Sequence, residues 1–130
     1  MPKAPAITDA EWNVIKVLWD QPGQWLAAAA IIEPVARDRA IHHSTIRTLL
    51  ARLVRKGAVE TKRDSANAFL YRAKVSRDSV VREESKSFLS RVFDGNAAPA
   101  LVHLLHQNRD QLSAAELQEL RDLLNRKEKP

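Results

Sequence analysis

Several features that define other classes of protein are absent from this sequence of 130 residues. It contains no cysteine, which excludes disulfides, zinc sites built on cysteine and thiol catalysis, and which is typical of a reducing compartment. No apolar run approaches the roughly 20 residues of a membrane-spanning helix, and the amino terminus lacks the basic and apolar regions of a signal peptide. There is no glycine-rich phosphate loop, nucleophile elbow or distinctive pair of carboxylates. We therefore expect a soluble, cytoplasmic protein that is not an enzyme, is not bound to a membrane and needs no cofactor.

The net charge of +5 is unevenly divided along the chain. Residues 1–36 hold two Lys or Arg against four Asp or Glu, residues 37–74 hold ten against three, and residues 75–130 hold nine of each. The middle segment therefore carries +7, which is the electrostatic footprint of a surface that binds phosphates. Attraction to a membrane surface is a weaker interpretation, because the helix in this segment lacks the bulky aromatic residues with which such helices insert.

The middle segment contains a predicted amphipathic helix at residues 42–57. Its apolar residues recur at the spacing of a stripe that faces the core, and Gly57 is the residue type that ends a helix at least cost. The stripe consists of Ile46, Leu49, Leu50, Leu53 and Val54. The opposite face and its flanks carry no acidic residue and consist of Ser44, Thr45, Arg47, Thr48, Ala51, Arg52 and Arg55. Small side chains let a helix enter the major groove of DNA deeply, and long cations reach base edges or phosphates.

Two further helices are predicted before this one. The first runs from a capping box formed by Thr8 and Glu11 to about Asp20. Its inner stripe is predicted to consist of Trp12, Ile15, Leu18 and Trp19, and we expect both tryptophans to be buried. The second is predicted at residues 27–36, where Pro34 should bend it or shorten its first part.

A β-hairpin is predicted after the amphipathic helix. Residues 59–63 and 69–73 read as short strands, and residues 64–68 between them are turn-forming. Three helices followed by a hairpin make a winged helix-turn-helix, in which the third helix reads DNA and the hairpin lies along the backbone or minor groove. Lys62 and Arg63 near the hairpin tip suit contact with phosphates, although an ordinary solvated turn is the alternative. We therefore predict a mainly α fold with a small β-hairpin wing, whose DNA-binding domain is residues 1–75.

Residues 76–130 are predicted to form a helical dimerisation region. Ser76 caps a helix that reaches Phe93, residues 97–107 form a second helix, and a capping box at Ser113 and Glu116 opens the last one. These helices are too few to enclose a core of their own, so we expect them to pack against a second copy; packing against the amino-terminal domain is the alternative. A two-fold dimer would present two reading helices to half-sites of an inverted repeat in double-stranded DNA. The predicted dimerisation residues are Phe88, Leu89, Val92, Leu101, Leu104, Leu105, Leu117, Leu120 and Leu124.

The histidines suggest two further roles. His103 and His106 stand three apart on a predicted helix, a spacing that can place two imidazoles on one metal ion. Because no third ligand accompanies them at helical spacing, we prefer polar positions at the edge of the dimer helix and predict no metal site. His42 and His43 flank the reading helix, where contact with phosphate and local hydrogen bonding at the helix start are both open.

Five segments make this chain resemble the penicillinase-repressor family, the BlaI and MecI type of bacterial winged-helix repressor. They are residues 7–12 (ITDAEW), 17–19 (VLW), 45–53 (TIRTLLARL), 69–71 (FLY) and 119–124 (ELRDLL). The resemblance implies a homodimer that binds a palindromic operator of the TACA/TGTA kind and blocks transcription of resistance or stress genes. It also implies that the reading helix starts near His43 and that Thr45, Arg47, Thr48 and Arg52 approach DNA.

The resemblance further implies release from DNA when a membrane-bound sensor metalloprotease cuts the dimerisation region. The best-known members are cut within an Asn-Phe pair, whereas residues 101–105 here read LVHLL. The copper-responsive branch of the family senses metal through carboxy-terminal cysteines, which this chain lacks.

The alternative function is a winged-helix adaptor that binds a partner protein without DNA binding. Such an adaptor would not need a cationic, acid-free face on its third helix.

Overall fold

A computed structural model describes residues 4–127, without the side chain of Lys127. Within that range the helices are α1 (Asp9–Trp19), α2 (Ala28–Arg39), α3 (His43–Arg55), α4 (Arg77–Phe93), α5 (Ala97–Asn108) and α6 (Ala114–Lys127), and a short 3-10 helix covers Arg109–Gln111. The strands are β1 (Leu26–Ala27), β2 (Val59–Arg63) and β3 (Phe69–Ala73). This mainly helical chain with a small antiparallel sheet confirms the predicted fold class.

The chain divides into two compact units, one up to Lys86 and the other from Ser87 onward. The boundary therefore lies within α4, whereas the sequence places a functional division at residues 75 and 76. The first turns of α4 belong to the amino-terminal unit because Val80 is buried in its core cluster. The assignment of DNA binding to one part and dimerisation to the other remains a prediction.

The start of α1 is the predicted capping box. The backbone N–H of Glu11 donates to Thr8 Oγ1 at 3.1 Å, and the backbone N–H of Thr8 donates to Glu11 Oε1 at 2.9 Å. The expected burial of both tryptophans was wrong in degree, since Trp12 and Trp19 are only half-buried. They pack edge to face with ring centroids 5.2 Å apart, at the margin of the core, while the smaller Val14 takes a fully buried position.

α2 is longer than predicted and contains Pro34 in its interior. Proline has no N–H to donate within a helix, so the sequence favoured a bend or a shortened first part in a helix that ends near residue 36. The helix nevertheless continues to Arg39, because its face is anchored by the buried Ile31, Ile32 and Val35. Tertiary packing therefore outweighs the local preference of proline.

The wing is a three-stranded antiparallel sheet in the order β1-β3-β2. The two hairpin strands have the predicted bounds, and β1 was missed because two residues carry no periodic signal. Leu26 of β1 lies opposite Tyr71 of β3. In the connecting turn Asp64 Oδ1 accepts the backbone N–H groups of Ala66 and Ala68, each at 2.9 Å, which closes the hairpin.

The core of the amino-terminal unit lies between its helices and the inner face of the sheet. It is apolar apart from Glu11, which is 1% exposed. Half-buried side chains of α1, β1 and β3 pack around its edge. The buried apolar residues of this core are Ile7, Val14, Ile15, Leu18, Ile31, Ile32, Val35, Ile46, Leu49, Leu50, Leu53, Ala58, Val59 and Val80.

The carboxy-terminal unit contains the end of α4 followed by α5 and α6. α4 stops where Asp94 and Gly95 both adopt positive φ, and the backbone N–H of Gly95 donates to the carbonyl oxygen of Leu89 at 2.8 Å. α6 opens with the predicted capping box, in which the backbone N–H of Ser113 donates to Glu116 Oε1 at 2.8 Å. The helices expected from capping and turn residues are therefore present, and the short 3-10 helix between α5 and α6 is an addition.

Candidate nucleic-acid interface

The two faces of α3 differ completely in burial. Ile46, Leu49, Leu50 and Leu53 are at most 4% exposed and hold the helix on the core, while Val54 is half-buried. The opposite side is exposed throughout and consists of Ser44, Thr45, Arg47, Thr48, Ala51, Arg52 and Arg55. The structure therefore brings the predicted reading residues of this helix together on one solvent-facing surface, which we call the α3 outer face.

The arginines of the α3 outer face have no carboxylate partner within the part of the chain that the structure describes. Among the residues that the structure describes, Arg47, Arg52 and Arg55 form no ion pair with a carboxylate. Arg52 and Arg55 are three residues apart on the helix, where like charges are unfavourable unless an anionic partner covers them. This arrangement suits the phosphates and base edges of a nucleic acid.

The start of α3 is capped by His42, a role that the sequence left open. His42 Nδ1 accepts the backbone N–H of Ser44 at 3.1 Å and lies 2.8 Å from Ser44 Oγ. Because Nδ1 acts as an acceptor, the proton of the neutral ring is on Nε2. One turn later Thr48 Oγ1 donates to the carbonyl oxygen of Ser44 at 3.1 Å, which constrains the hydroxyl within the outer face.

We expect His42→Ala to lower the free energy of unfolding by about 1 kcal/mol, the usual effect of removing a helix cap. His42→Ser should retain most of the stability, because a serine hydroxyl accepts the same backbone N–H. Urea denaturation of the three proteins measures the difference.

His43→Ala is the matched control for this prediction. His43 is exposed, and among the described residues its side chain makes no hydrogen bond, so this substitution should change the free energy of unfolding very little. Equal losses from His42→Ala and His43→Ala would show that the cap contributes nothing.

The end of α3 directs the chain into the wing. Gly57 has φ +83° and its N–H donates to the carbonyl oxygen of Val54, while the N–H of Ala58 donates to that of Leu53, both at 3.0 Å. This is the Schellman arrangement, which satisfies carbonyl groups at a helix end and favours glycine at the left-handed position. β2 begins two residues after Gly57, so the geometry of this turn sets where the hairpin lies relative to α3.

An ion pair between a buried carboxylate and a partly exposed lysine joins the end of α3 to the start of α1. Lys56 Nζ lies 2.5 Å from Glu11 Oε1 and also donates to the carbonyl oxygen of Ala6 at 2.9 Å. Burial acts to raise the pKa of Glu11, but the hydrogen bonds from Lys56 and Thr8 outweigh it and hold that pKa below its ordinary value. No local pattern in the sequence predicts this pair, because the two residues are far apart in the chain, although the capping box places Glu11 at a helix start.

The two predicted wing cations point to opposite faces of the hairpin, as consecutive strand residues do. The guanidinium of Arg63 lies 4.2 Å from the ring centroid of Phe69, and its Nη1 donates to the carbonyl oxygen of Asn67 at 3.3 Å. Lys62 Nζ lies 4.5 Å from the ring centroid of Trp25, a residue that the sequence analysis did not single out. Both cations are near the wing tip, as expected, but they are held by different aromatic rings.

The predicted dimerisation residues lie in the carboxy-terminal unit, and most of them are exposed. Leu101 is 50% and Leu124 is 60% exposed, while Leu89, Leu117 and Leu120 are half-buried. Val102 and Leu123 add further exposed apolar surface. Large apolar side chains left exposed in this number are typical of a protein–protein contact. The exposed members of the predicted set are Phe88, Val92, Leu101, Leu104, Leu105 and Leu124.

The remaining sequence candidates give no further site. His103 and His106 both lie exposed on α5. Within residues 4–127, no group of three or more His, Asp or Glu side chains is placed to hold a metal ion. In the same range, none of the helices combines the length and apolarity needed to cross a bilayer.

The core, α3 and the hairpin define the amino-terminal unit as a winged-helix domain. A family model described as penicillinase repressor matches residues 7–126. The chain therefore belongs to the penicillinase repressor family, as the sequence motifs indicated.

Relatives within this family match nearly the whole length of the chain. The methicillin resistance regulatory protein MecI of Mammaliicoccus sciuri is 32% identical over 125 residues, which are 96% of this chain and 98% of that protein. The penicillinase repressor of Bacillus licheniformis is 31% identical over 124 residues, which are 95% of this chain and 93% of that protein.

Solved structures resemble the amino-terminal part. The solution structure of the DNA-binding domain of the repressor BlaI has a TM-score of 0.51 and 29% identity, and the match covers 61% of this chain and 93% of that chain. The monomeric form of Bacillus licheniformis BlaI in complex with the blaP half-operator gives the same TM-score, identity and coverage.

Proposed function

We propose that this protein is a DNA-binding transcriptional repressor that acts as a homodimer on an inverted-repeat operator. The observation that carries the proposal is the α3 outer face, where three arginines without carboxylate partners in the described chain surround small hydroxyl side chains. Membership of the penicillinase repressor family supports the proposal, as does the relative whose structure was solved with a half-operator.

The residues of the interface have different proposed roles. Arg47 and Arg52 make the strong contacts, to guanine edges or phosphates, because a guanidinium offers several donors in a fixed fork. Thr45 and Thr48 contact bases through a hydroxyl or a thymine methyl group. Residues at the helix ends and on the wing contact phosphates, which positions the helix without reading sequence. These are Ser44, Arg55, Lys62 and Arg63.

The proposed dimer is supported by the exposed apolar residues of the carboxy-terminal unit. Three leucines of α5 and two of α6 that a monomer leaves in water would be covered by the same surface of a second copy, since a two-fold contact is self-complementary. Two linked reading helices bind an inverted repeat far more tightly than one, because the second contact becomes intramolecular. Dimerisation therefore supplies the affinity that a single small domain lacks.

The names of the relatives also indicate which kind of gene the repressor controls. Their names assign them to methicillin resistance and penicillinase, so we propose that this protein regulates resistance or stress-response genes in the cytoplasm. Inactivation by a sensor protease that cuts the dimerisation region is part of the same proposal. The protease would cut within α5, which contains residues 101–105.

The proposal is tested by selecting genomic DNA fragments that the purified protein binds. An inverted repeat should emerge among the selected fragments, and affinity for it should fall steeply with salt, by about 0.9 in the log-log slope for each neutralised phosphate. Random recovery of fragments, or an affinity independent of salt, would contradict the proposed function and favour an adaptor that binds protein.

Within the selected operator, we expect Arg52→Ala to weaken binding by about 1–3 kcal/mol if Arg52 reads a base. Arg52 is exposed and forms no ion pair in the described chain, so its removal should leave folding intact. Gel-shift titration measures the change, and Lys16→Ala, which removes an exposed cation from α1, is the charge-matched control. Unchanged operator affinity in Arg52→Ala would remove Arg52 from the interface.

A further inference from the structure

Trp25 lies on the outer face of the wing, immediately before β1. The neighbouring Leu26 is opposite Tyr71, and both side chains pack against the core, so they lie on the inner face of the sheet. Side chains alternate along a strand, which places Trp25 on the other side. There its indole contacts two cations, Lys62 of β2 and Arg72 of β3, and these three residues form what we call the wing cluster.

The two cations of the wing cluster differ in how their charge is balanced. Arg72 Nε donates to Glu60 Oε1 at 2.7 Å, and its guanidinium carbon lies 4.3 Å from the indole centroid. Lys62 Nζ is 4.5 Å from the same centroid and has no carboxylate partner among the described residues. The charge of Arg72 is therefore neutralised locally, and that of Lys62 is not.

An indole and a carboxylate restrain a lysine with different consequences. A carboxylate would restrain Lys62 and also cancel its charge, whereas the face of an aromatic ring attracts the ammonium group through its quadrupole and leaves the full positive charge. A free lysine side chain loses rotamer entropy when it binds an anion. Trp25 reduces that loss because Lys62 is already held in place, so the ammonium group is both ordered and available to an anion.

We propose that Trp25 is a positioning residue that holds Lys62 for contact with a DNA phosphate. The inference rests on the proposed DNA binding, because the phosphate is that of the duplex bound by α3. Charge complementarity favours this partner: Lys62 lies on the wing within the segment of residues 37–74, which carries +7. Trp25 itself acts through Lys62 and does not read sequence.

A double-mutant cycle of Trp25→Leu and Lys62→Ala tests the coupling. The probe is a mixed-sequence duplex of about 30 base pairs, near three helical turns, because a phosphate contact does not require the operator. Trp25→Leu should weaken binding about threefold, because Lys62 would then lose more rotamer entropy when it binds the phosphate. It should leave the salt slope unchanged, because the charge of Lys62 remains.

Lys62→Ala should weaken binding and lower the log-log salt slope by about 0.9, since one phosphate contact is lost. When Trp25→Leu is added to Lys62→Ala, no further loss of affinity is expected. When it is added to Lys16→Ala, the threefold loss should persist, because Lys16 is an exposed lysine of α1 outside the wing cluster. Trp25→Phe, which keeps an aromatic face, should bind nearly as well as the unmodified protein.

Equal losses from Trp25→Leu in the Lys62→Ala and Lys16→Ala proteins would overturn the inference, since the tryptophan would then act directly or through stability. Thermal melting of Trp25→Phe confirms that the fold is retained in the variant used for comparison. If the unmodified protein fails to bind any duplex, the proposed function falls and the inference falls with it. If it binds but the two substitutions are additive, only the role of Trp25 is refuted.

Discussion

Leu124→Asp is expected to convert a dimer into a folded monomer and to weaken operator binding about 100-fold or more, the scale of avidity that two linked contacts supply. Leu124 is 60% exposed within its own chain, so the new carboxylate meets water in the monomer and disturbs no intramolecular core. In the proposed dimer the same carboxylate would be buried against an apolar surface, where an unpaired charge is strongly unfavourable. Sedimentation gives the oligomeric state, and gel-shift titration gives the affinity.

Arg126→Asp is the matched control on the same helix. Arg126 is exposed and, at 100° per residue, lies nearly opposite the apolar stripe that contains Leu117 and Leu124. Introducing a carboxylate there should leave the dimer intact. A stable monomer in the unmodified protein, or a dimer that survives Leu124→Asp, would refute the assignment of this surface to dimerisation.

Lys56→Met is expected to lower the free energy of unfolding by about 2 kcal/mol, because it leaves the buried carboxylate of Glu11 without its cationic partner. The estimate is at the low end for a buried pair, since the Lys56 side chain is one-third exposed. Lys86→Met is the control: Lys86 pairs with Glu83 at 3.8 Å on the surface, where such pairs contribute little. Urea denaturation near neutral pH compares the two.

The ion pair of Lys56 and Glu11 also predicts how the stability of the protein depends on pH. The pKa of Glu11 is lower in the folded protein than its ordinary value, so the unfolded chain takes up the proton more readily. The contribution of Glu11 is therefore complete above the ordinary glutamate pKa of about 4.3 and is lost as the pH falls through the lowered folded value. Glu11→Gln should be less stable than the unmodified protein at neutral pH and should lose less stability on acidification. Parallel pH curves for the two proteins would contradict this role.

The helices and the hairpin were predictable because their signals are local. The capping box of Thr8 and Glu11, the glycine after α3 and the alternation in β2 and β3 each involve residues within a few positions of one another. The α3 outer face was equally predictable, since a helix of known period and an acid-free pattern leave one way to arrange its side chains. Family motifs in the same segments led to the same assignment.

Features that depend on contacts between distant segments were missed or misjudged. β1 exists only because Leu26 meets Tyr71 across the sheet, and α2 extends beyond its predicted end to Arg39 because its face is buried. The expected burial of Trp12 and Trp19 failed because periodicity gives the direction of a side chain and not the depth of the core at that point.

The sequence alone determined the class of fold, the family and the helix that carries the candidate interface, because charge and hydrophobic period are properties of neighbouring residues. Tertiary structure decided how that helix is held and what surrounds it. The pairing of Lys56 with Glu11 joins segments 45 positions apart, and Trp25 reaches Lys62 only when β1 joins the sheet. Such pairings follow from the way elements pack, and no local pattern in the chain encodes them.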